Sequence, residues 1–201
     1  SIGLIGDIKW SNTSKIRFLL MIIITFLFIY QSDLIIEKFN FIYPSYSFPL
    51  LQQFFTISII IPILFTSLCI ILSVNGFNFI DGQHGLLLGY SIILLIMLLL
   101  HLPYEKNIYL IILSLIASSF VLFLFNFISG NFFAGDSGAY FLGFAISTLL
   151  IYCNNNFNLD SFLLACLIIY PITEVFVSFT RRQIIQKTNS FEPDNKHLHF
   201  L

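Results

Sequence analysis

The sequence predicts an all-α, polytopic membrane protein of about six transmembrane helices, with its polar loops gathered on one side. Three observations carry that prediction. Of 201 residues, 58% are hydrophobic and 9% charged, against about 25% charged in a soluble domain. Charge is therefore too scarce to cover a water-facing surface, which a soluble chain of this length would still need. The mean hydropathy is +0.93. The apolar residues also fall into successive runs, most of them near the roughly 20 residues that cross a hydrocarbon core.

The elements follow in order. Residues 1–15 are polar, with Asp7, Lys9 and Lys15. The first apolar run is 16–30, extending to 36 if Gln31, Ser32 and Asp33 lie at the interface. Residues 37–53 mix aromatics with prolines and suit an interfacial loop. Residues 54–74 read as a span, with Pro62 as a candidate kink. Residues 75–85 read as a tight, glycine-rich polar loop carrying Asp81. A run at 86–102, a turn at 103–107 and a span at 108–128 follow, then a polar loop at 129–137 with Gly135 and Asp136. Residues 138–152 form the shortest run, and 154–160 an asparagine-rich turn. Residues 161–180 span again, carrying Pro171 and Glu174, before a polar, basic tail at 181–201. The chain is read as one membrane domain, 1–201. It opens on Ser1 with no signal-peptide pattern, and is read as the interior of a longer protein.

Parity then tests this layout. If 1–15 lies on one side, six crossings bring 75–85, 129–137 and 181–201 to that same side. Seven of the nine Lys and Arg residues lie there, and Lys38 and Lys106 lie opposite. The positive-inside rule makes the shared face cytoplasmic, which predicts an integral protein of the cytoplasmic (inner) membrane.

Several function classes are disfavoured. A net charge of −1 offers no basic field for nucleic acid. Four His and three scattered Cys form no zinc or disulfide pattern; Cys69, Cys153 and Cys166 read as packing residues.

The shared face carries the candidate chemistry. Each of its segments holds a carboxylate near glycine or histidine: Asp7, Asp81, Asp136 and Asp194. Singly, each has a bland reading. Asp136 could cap a helix starting near Gly138, Asp81 could be a turn residue with Gly82, and His197 and His199 could be ordinary tail residues. Convergence shifts the balance. Carboxylates hold Mg²⁺, which shares its oxygen ligands with substrate phosphates. Glycines admit a phosphate to the backbone, and His and Arg contact it. That set fits phosphoryl transfer, where positioning and charge neutralisation do most of the work.

Four motifs resemble those of the polyprenyl-phosphate N-acetylhexosamine-1-phosphate transferases, the MraY/WecA-like glycosyltransferase family 4, in the family's order. Gly3-Leu4-Ile5-Gly6-Asp7 resembles G-L-x-D-D, and residues 75–86 resemble N-x-x-N-x-x-D-G-x-[DN]-G-L. Asn126, ten residues before Asp136, with 133–143 resembles N…F-x-G-D-x-G-x-x-x-L-G. Arg181-Arg182 and 190–199 resemble R-R…S-P-F-x-P-D-x-x-H-L-H-H, closest to the WecA-like branch. Family members are longer, so the resemblance implies helices before Ser1 and after Leu201.

The resemblance implies a reaction and roles. A polyprenyl (undecaprenyl) phosphate attacks the sugar-linked phosphorus of a UDP-sugar, a UDP-N-acetylhexosamine in this branch. UMP leaves, and synthesis of a cell-envelope polysaccharide or lipid-linked glycan begins. Asp136 would be the metal ligand, with Asp7 sharing the Mg²⁺ (Mn²⁺ as the alternative ion) or activating the lipid phosphate. Asn75, Asn78 and Asp81 would line the nucleotide-sugar site. Phe133 would stack on uracil, and His197 and His199 would contact the pyrophosphate with Arg181 and Arg182 nearby. The implied partners are the UDP-sugar, the polyprenyl phosphate, the bilayer and, as an open option, a second copy in a homodimer.

The chain also departs from the pattern. Gly6 replaces the first Asp of the acidic pair, His84 stands where many members have Asp or Asn, Asn131 replaces a common Lys, and Phe200 replaces the final His. Two alternatives therefore stay open: a catalytically inactive relative acting as a membrane scaffold, and a transporter, for which Glu174 inside an apolar run is the marker.

Overall fold

The computed structural model describes residues 14–36, 38–41, 53, 55–82, 85–129 and 134–181. The described residues contain no strand. They form helices α1 (Ser14–Ser32), α2 (Ile60–Ile80), α3 (Leu86–His101), α4 (Lys106–Ser129), α5 (Gly135–Phe157) and α6 (Ser161–Thr180). The helices α2, α4, α5 and α6 are long and apolar enough to cross a membrane. The apolar part of α1 and the whole of α3 are shorter; α3, with 16 residues, is about 24 Å long at 1.5 Å per residue.

Helix α2 is the centre, packing on α1, α5 and α6 and touching α3. It is strongly apolar apart from a few small polar residues and the Asn75–Asn78 pair at its end, so burial and not amphipathicity selects its neighbours. Close approach is made by small residues. A β-carbon on Gly143 of α5 would lie 2.8 Å from Val74 Cα and 3.1 Å from Phe77 Cβ. Tight backbone contact of this kind is how helices associate where the surrounding solvent is itself apolar. One core joins α2, α3, α4 and α5 through Phe77, Ile80, Leu95, Leu98, Ile112 and Ile146. A smaller one seats α1 through Met21 and Ile29 on Ile70, Val74 and Ile151. The α3–α4 hairpin is pinned by the Tyr109 hydroxyl, which donates to the carbonyls of Leu99 (3.3 Å) and Leu102 (3.2 Å).

The outer faces are greasy. Leu110, Leu113, Val121, Phe125 and Ile128 of α4 are exposed, as are Ile16, Leu19, Ile23 and Leu27 of α1. Patches this extensive are far beyond what a soluble monomer shows. Several hydroxyls turn back on their own helices, Thr25 to Met21 O, Ser73 to Cys69 O and Ser91 to Leu87 O, which pairs them within the helix; Ser119 Oγ of α4 is buried without a partner among the described residues.

Several expected boundaries move. Helix α2 begins at Ile60, not at residue 54, and runs on to Ile80. Residues 75–80, expected in a polar loop, are therefore the last turns of a helix. Pro62 falls in the first turn of α2, where a missing N–H leaves no gap in the ladder, so it causes no kink. The run expected at 138–152 is a 23-residue helix, Gly135–Phe157.

Of the asparagines expected in a turn at 154–160, Asn154, Asn155 and Asn156 are instead in the last turn of α5, with Asn158 its left-handed C-cap, and Asn154 and Asn155 clamp the segment after α1. Asn154 Nδ2 donates to Lys38 O (3.1 Å), and Asn155 Nδ2 to Ile35 O (2.8 Å). Asn40 Nδ2 donates to Asn154 O (2.8 Å), and the Asn40 N–H donates to Ser161 Oγ (2.8 Å). This network closes one end of the bundle and leaves the other end for the site.

Candidate functional site

The other end gathers the starts of α1, α3 and α5 and the ends of α2, α4 and α6, as parity requires. Three contacts establish it. Arg17 Nη1, one turn into α1, donates to Asp136 Oδ2 in the first turn of α5 at 2.5 Å. The N–H of Gly85, at the start of α3, donates to Asn126 Oδ1 in the last turn of α4, also at 2.5 Å. Gly76 of α2 sits against Pro171 of α6.

Asp136 does not cap α5. The helix starts at Gly135, and the preceding Ala134 makes no side-chain cap bond. Asp136 lies inside the first turn, where the helix dipole favours an anion. Its side chain is 29% exposed and that of Arg17 is 23% exposed, so the pair is half-buried at the edge of the bundle. Sequence reasoning used Arg17 solely as a topology marker; no local signal ties it to a residue 119 positions away.

The end of α2 supplies the second wall. Asn75 and Asn78 stand one turn apart on one face, half-buried, while Gly76, Phe77 and Ile80 are buried. Asn75 Nδ2 donates to Ile71 O at 2.8 Å, the back-bond that lets a polar residue remain in the helix. Asp81 is the C-cap, with its N–H on Asn78 O at 3.4 Å, so its reading as a turn residue has a geometric basis. At Gly85, φ is +77° and a β-carbon would meet Phe123 Cε2 at 2.8 Å. The left-handed turn that starts α3 thus demands glycine. Asn126, at 2% exposure, accepts the N–H which that turn leaves pointing inward.

Glu174 is fully buried. Tyr170 Oη donates to its Oε1 at a long 3.5 Å, and the Tyr90 ring of α3 lies 5.7 Å from that of Tyr170. Glu174 stands one turn beyond Pro171 toward the polar end, packed among helices. Arg181 follows α6 as its C-cap, half-buried, where a cation complements the helix dipole. Asp7, Phe133, Arg182, His197 and His199 lie outside the described residues, as do His84 and Gly6.

The donor set bears on a metal. Among the described residues no group of three or more His, Cys, Asp or Glu side chains could hold an ion. An all-protein cage is thus absent among them. Asp136 fits a different design, a single carboxylate sharing a Mg²⁺ with waters and substrate phosphate oxygens. The N-terminus of α5 beside it also attracts phosphate.

Comparisons with known proteins bear on the family. The family model described as "Glycosyl transferase family 4" matches residues 1–154. Over 128 residues the chain is 32% identical to an undecaprenyl-phosphate alpha-N-acetylglucosaminyl 1-phosphate transferase of Thermotoga maritima, covering 63% of this chain and 38% of that protein. Over 203 residues it is 29% identical to a protein of Bacillus subtilis named as a probable undecaprenyl-phosphate N-acetylglucosaminyl 1-phosphate transferase, covering 98% of this chain and 53% of that one. The chain thus spans about half the length, or less, of these curated relatives. No solved structure matches it significantly. With three quarters of its length matched by the family model, an all-helical bundle and motif residues brought to one end, the chain belongs to glycosyl transferase family 4.

Proposed function

We propose that the protein transfers N-acetylhexosamine 1-phosphate from a UDP-sugar to undecaprenyl phosphate and releases UMP. The observation that carries this is the placement of Asp136, in the first turn of α5 with Arg17 against it. It stands at the same end of the bundle as the Asn75–Asn78 face of α2. An anion-attracting helix start beside a half-buried carboxylate and an arginine suits a pyrophosphate better than any neutral ligand. Both curated relatives are named as undecaprenyl-phosphate N-acetylglucosaminyl 1-phosphate transferases, the second as a probable one, which supports the reading.

A phosphate oxygen of the lipid attacks the sugar-linked phosphorus. The bond from that phosphorus to the bridging oxygen breaks, and UMP leaves with the electron pair. The protein's part is positioning and charge compensation. Asn75, Asn78 and Asp81 hold the nucleotide sugar along the end of α2, and Phe133 stacks on the uracil. Arg181, Arg182, His197 and His199 contact the pyrophosphate. Asp136, with Asp7, would hold a Mg²⁺ whose chemistry is neutralisation of the pyrophosphate charge. Gly6 in place of a second acid is tolerable, because a phosphate monoester, with a second pKa of about 6, is largely ionised without a base. The basic residues make this end cytoplasmic by the positive-inside rule.

The test is UMP release by the intact membrane protein from a panel of UDP-sugars, with and without undecaprenyl phosphate. Release that requires the lipid and an N-acetylhexosamine donor supports the reading. Release without the lipid contradicts it. Gly6 and His84 favour an inactive relative as the second reading. That reading predicts no binding of UDP-sugars in calorimetry, so measurable binding eliminates it.

A further inference from the structure

We propose that Arg17 is a further substrate-phosphate-binding residue, held in reserve on Asp136 until a divalent cation takes that carboxylate. This rests on reading Asp136 as a cation ligand. Three observations lead to it.

The first is the pairing itself. Arg17 Nη1 and Asp136 Oδ2 meet at 2.5 Å across 119 residues of sequence, between the starts of two helices. The carboxylate that best fits a cation is therefore engaged by another positive group. A divalent ion on the same carboxylate repels the guanidinium, so the ion's arrival weakens the hold of Asp136 on Arg17 and favours an exchange of partners.

The second is how little of the guanidinium the pair uses. Arginine offers a planar fork and favours two parallel donors on one anion. Here Nη1 makes the bond, and Nε is buried with no hydrogen-bond partner among the described residues. That Nε–H is left for a phosphate oxygen once the guanidinium turns from Asp136.

The third is position. Arg17 begins a helix whose outer face, Ile16, Leu19 and Ile23, is exposed and apolar. It stands at the boundary between that greasy face and the polar end of the bundle. A phosphate carried on a lipid and the pyrophosphate of a nucleotide sugar both reach such a boundary, and both offer the same oxygens.

The experiment uses the intact membrane protein purified in detergent. Mn²⁺ affinity is read by electron paramagnetic resonance without substrates. Affinities for UMP and for undecaprenyl phosphate are then measured with Mn²⁺ present. In R17Q the competing charge is gone, so Mn²⁺ binds about three- to fivefold tighter. One of the two phosphate ligands weakens about tenfold, and which one weakens identifies the phosphate that Arg17 holds. R17K guards against misfolding of R17Q. It keeps the charge, so its Mn²⁺ affinity matches wild type while the phosphate ligand weakens severalfold. Unchanged or weaker Mn²⁺ binding in R17Q, or wild-type affinity for both phosphate ligands in either variant, overturns the proposal. D136N separates the two ideas. If D136N abolishes Mn²⁺ binding but R17Q behaves as wild type, the role of Asp136 stands and that of Arg17 falls. If D136N leaves Mn²⁺ binding intact, the reading of Asp136 falls and takes this proposal with it.

Discussion

Gly76 of α2 packs so closely on Pro171 of α6 that a β-carbon there would lie 2.4 Å from the Pro171 carbonyl oxygen. The contact fixes the last turn and a half of α2, with Asn78 and the C-cap Asp81, against the helix that Arg181 caps. Backbone atoms cannot step aside as a flexible side chain can. Gly76→Ala is therefore expected to force α2 and α6 apart and to cost about 3 kcal/mol, at the upper end of overpacking penalties. Thermal unfolding in detergent checks this. Gly89→Ala is the matched control. Its new methyl would approach the Phe123 ring no closer than 3.4 Å, and it should shift the midpoint little.

Asn126 is expected to act through the turn at Gly85. Removing its Oδ1 with Asn126→Ala leaves the buried Gly85 N–H without its 2.5 Å acceptor, a loss of about 1–3 kcal/mol. Hydrogen exchange localises the effect. The Gly85 amide should lose protection in the variant, while amides at the opposite end, near Asn154, keep theirs. Uniform loss of protection would mean that Asn126 supports the whole bundle and not this turn.

The asparagine clamp gives the converse test. Asn154 is buried and joins α5 to Lys38 and Asn40. Asn154→Ala should lower stability by about 1–3 kcal/mol through unpaired groups. The clamp stands at the far end of the bundle, so nucleotide and cation affinity in the folded fraction should remain at wild-type values. Weakened ligand binding at low temperature, where the variant is folded, would show that the two ends are coupled.

The sequence carried the helices more clearly than their limits. Apolar runs of near-spanning length announced all six elements, and parity brought their polar ends together, as Arg17–Asp136 and Gly85–Asn126 bear out among the described residues. The ends of the runs are less legible because polar residues there suit a loop as well as a helix end. Asn75 stays helical because its amide bonds to Ile71 O while Gly76, Phe77 and Ile80 bury the facing side. Asn154 and Asn155 stay helical because their amides bond to the backbone of a distant segment. Neither back-bonding nor a clamp across more than 110 residues leaves a local pattern. The same holds for the site. Asp136 stood out through its neighbouring glycines, whereas Arg17 carried no signal beyond its charge until folding set it against Asp136.

Asp136 is the residue on which the proposed transfer depends, and one measurement reaches it most directly. UMP release by the intact protein, supplied with UDP-N-acetylhexosamine, undecaprenyl phosphate and Mg²⁺, is compared between wild type and Asp136→Asn. The substitution keeps the shape and the position at the start of α5 but removes the charge. A fall of about a hundredfold or more, as expected when charge compensation for a phosphoryl transfer is lost, with the thermal midpoint nearly unchanged, is the predicted result. Release at the wild-type rate would contradict the account.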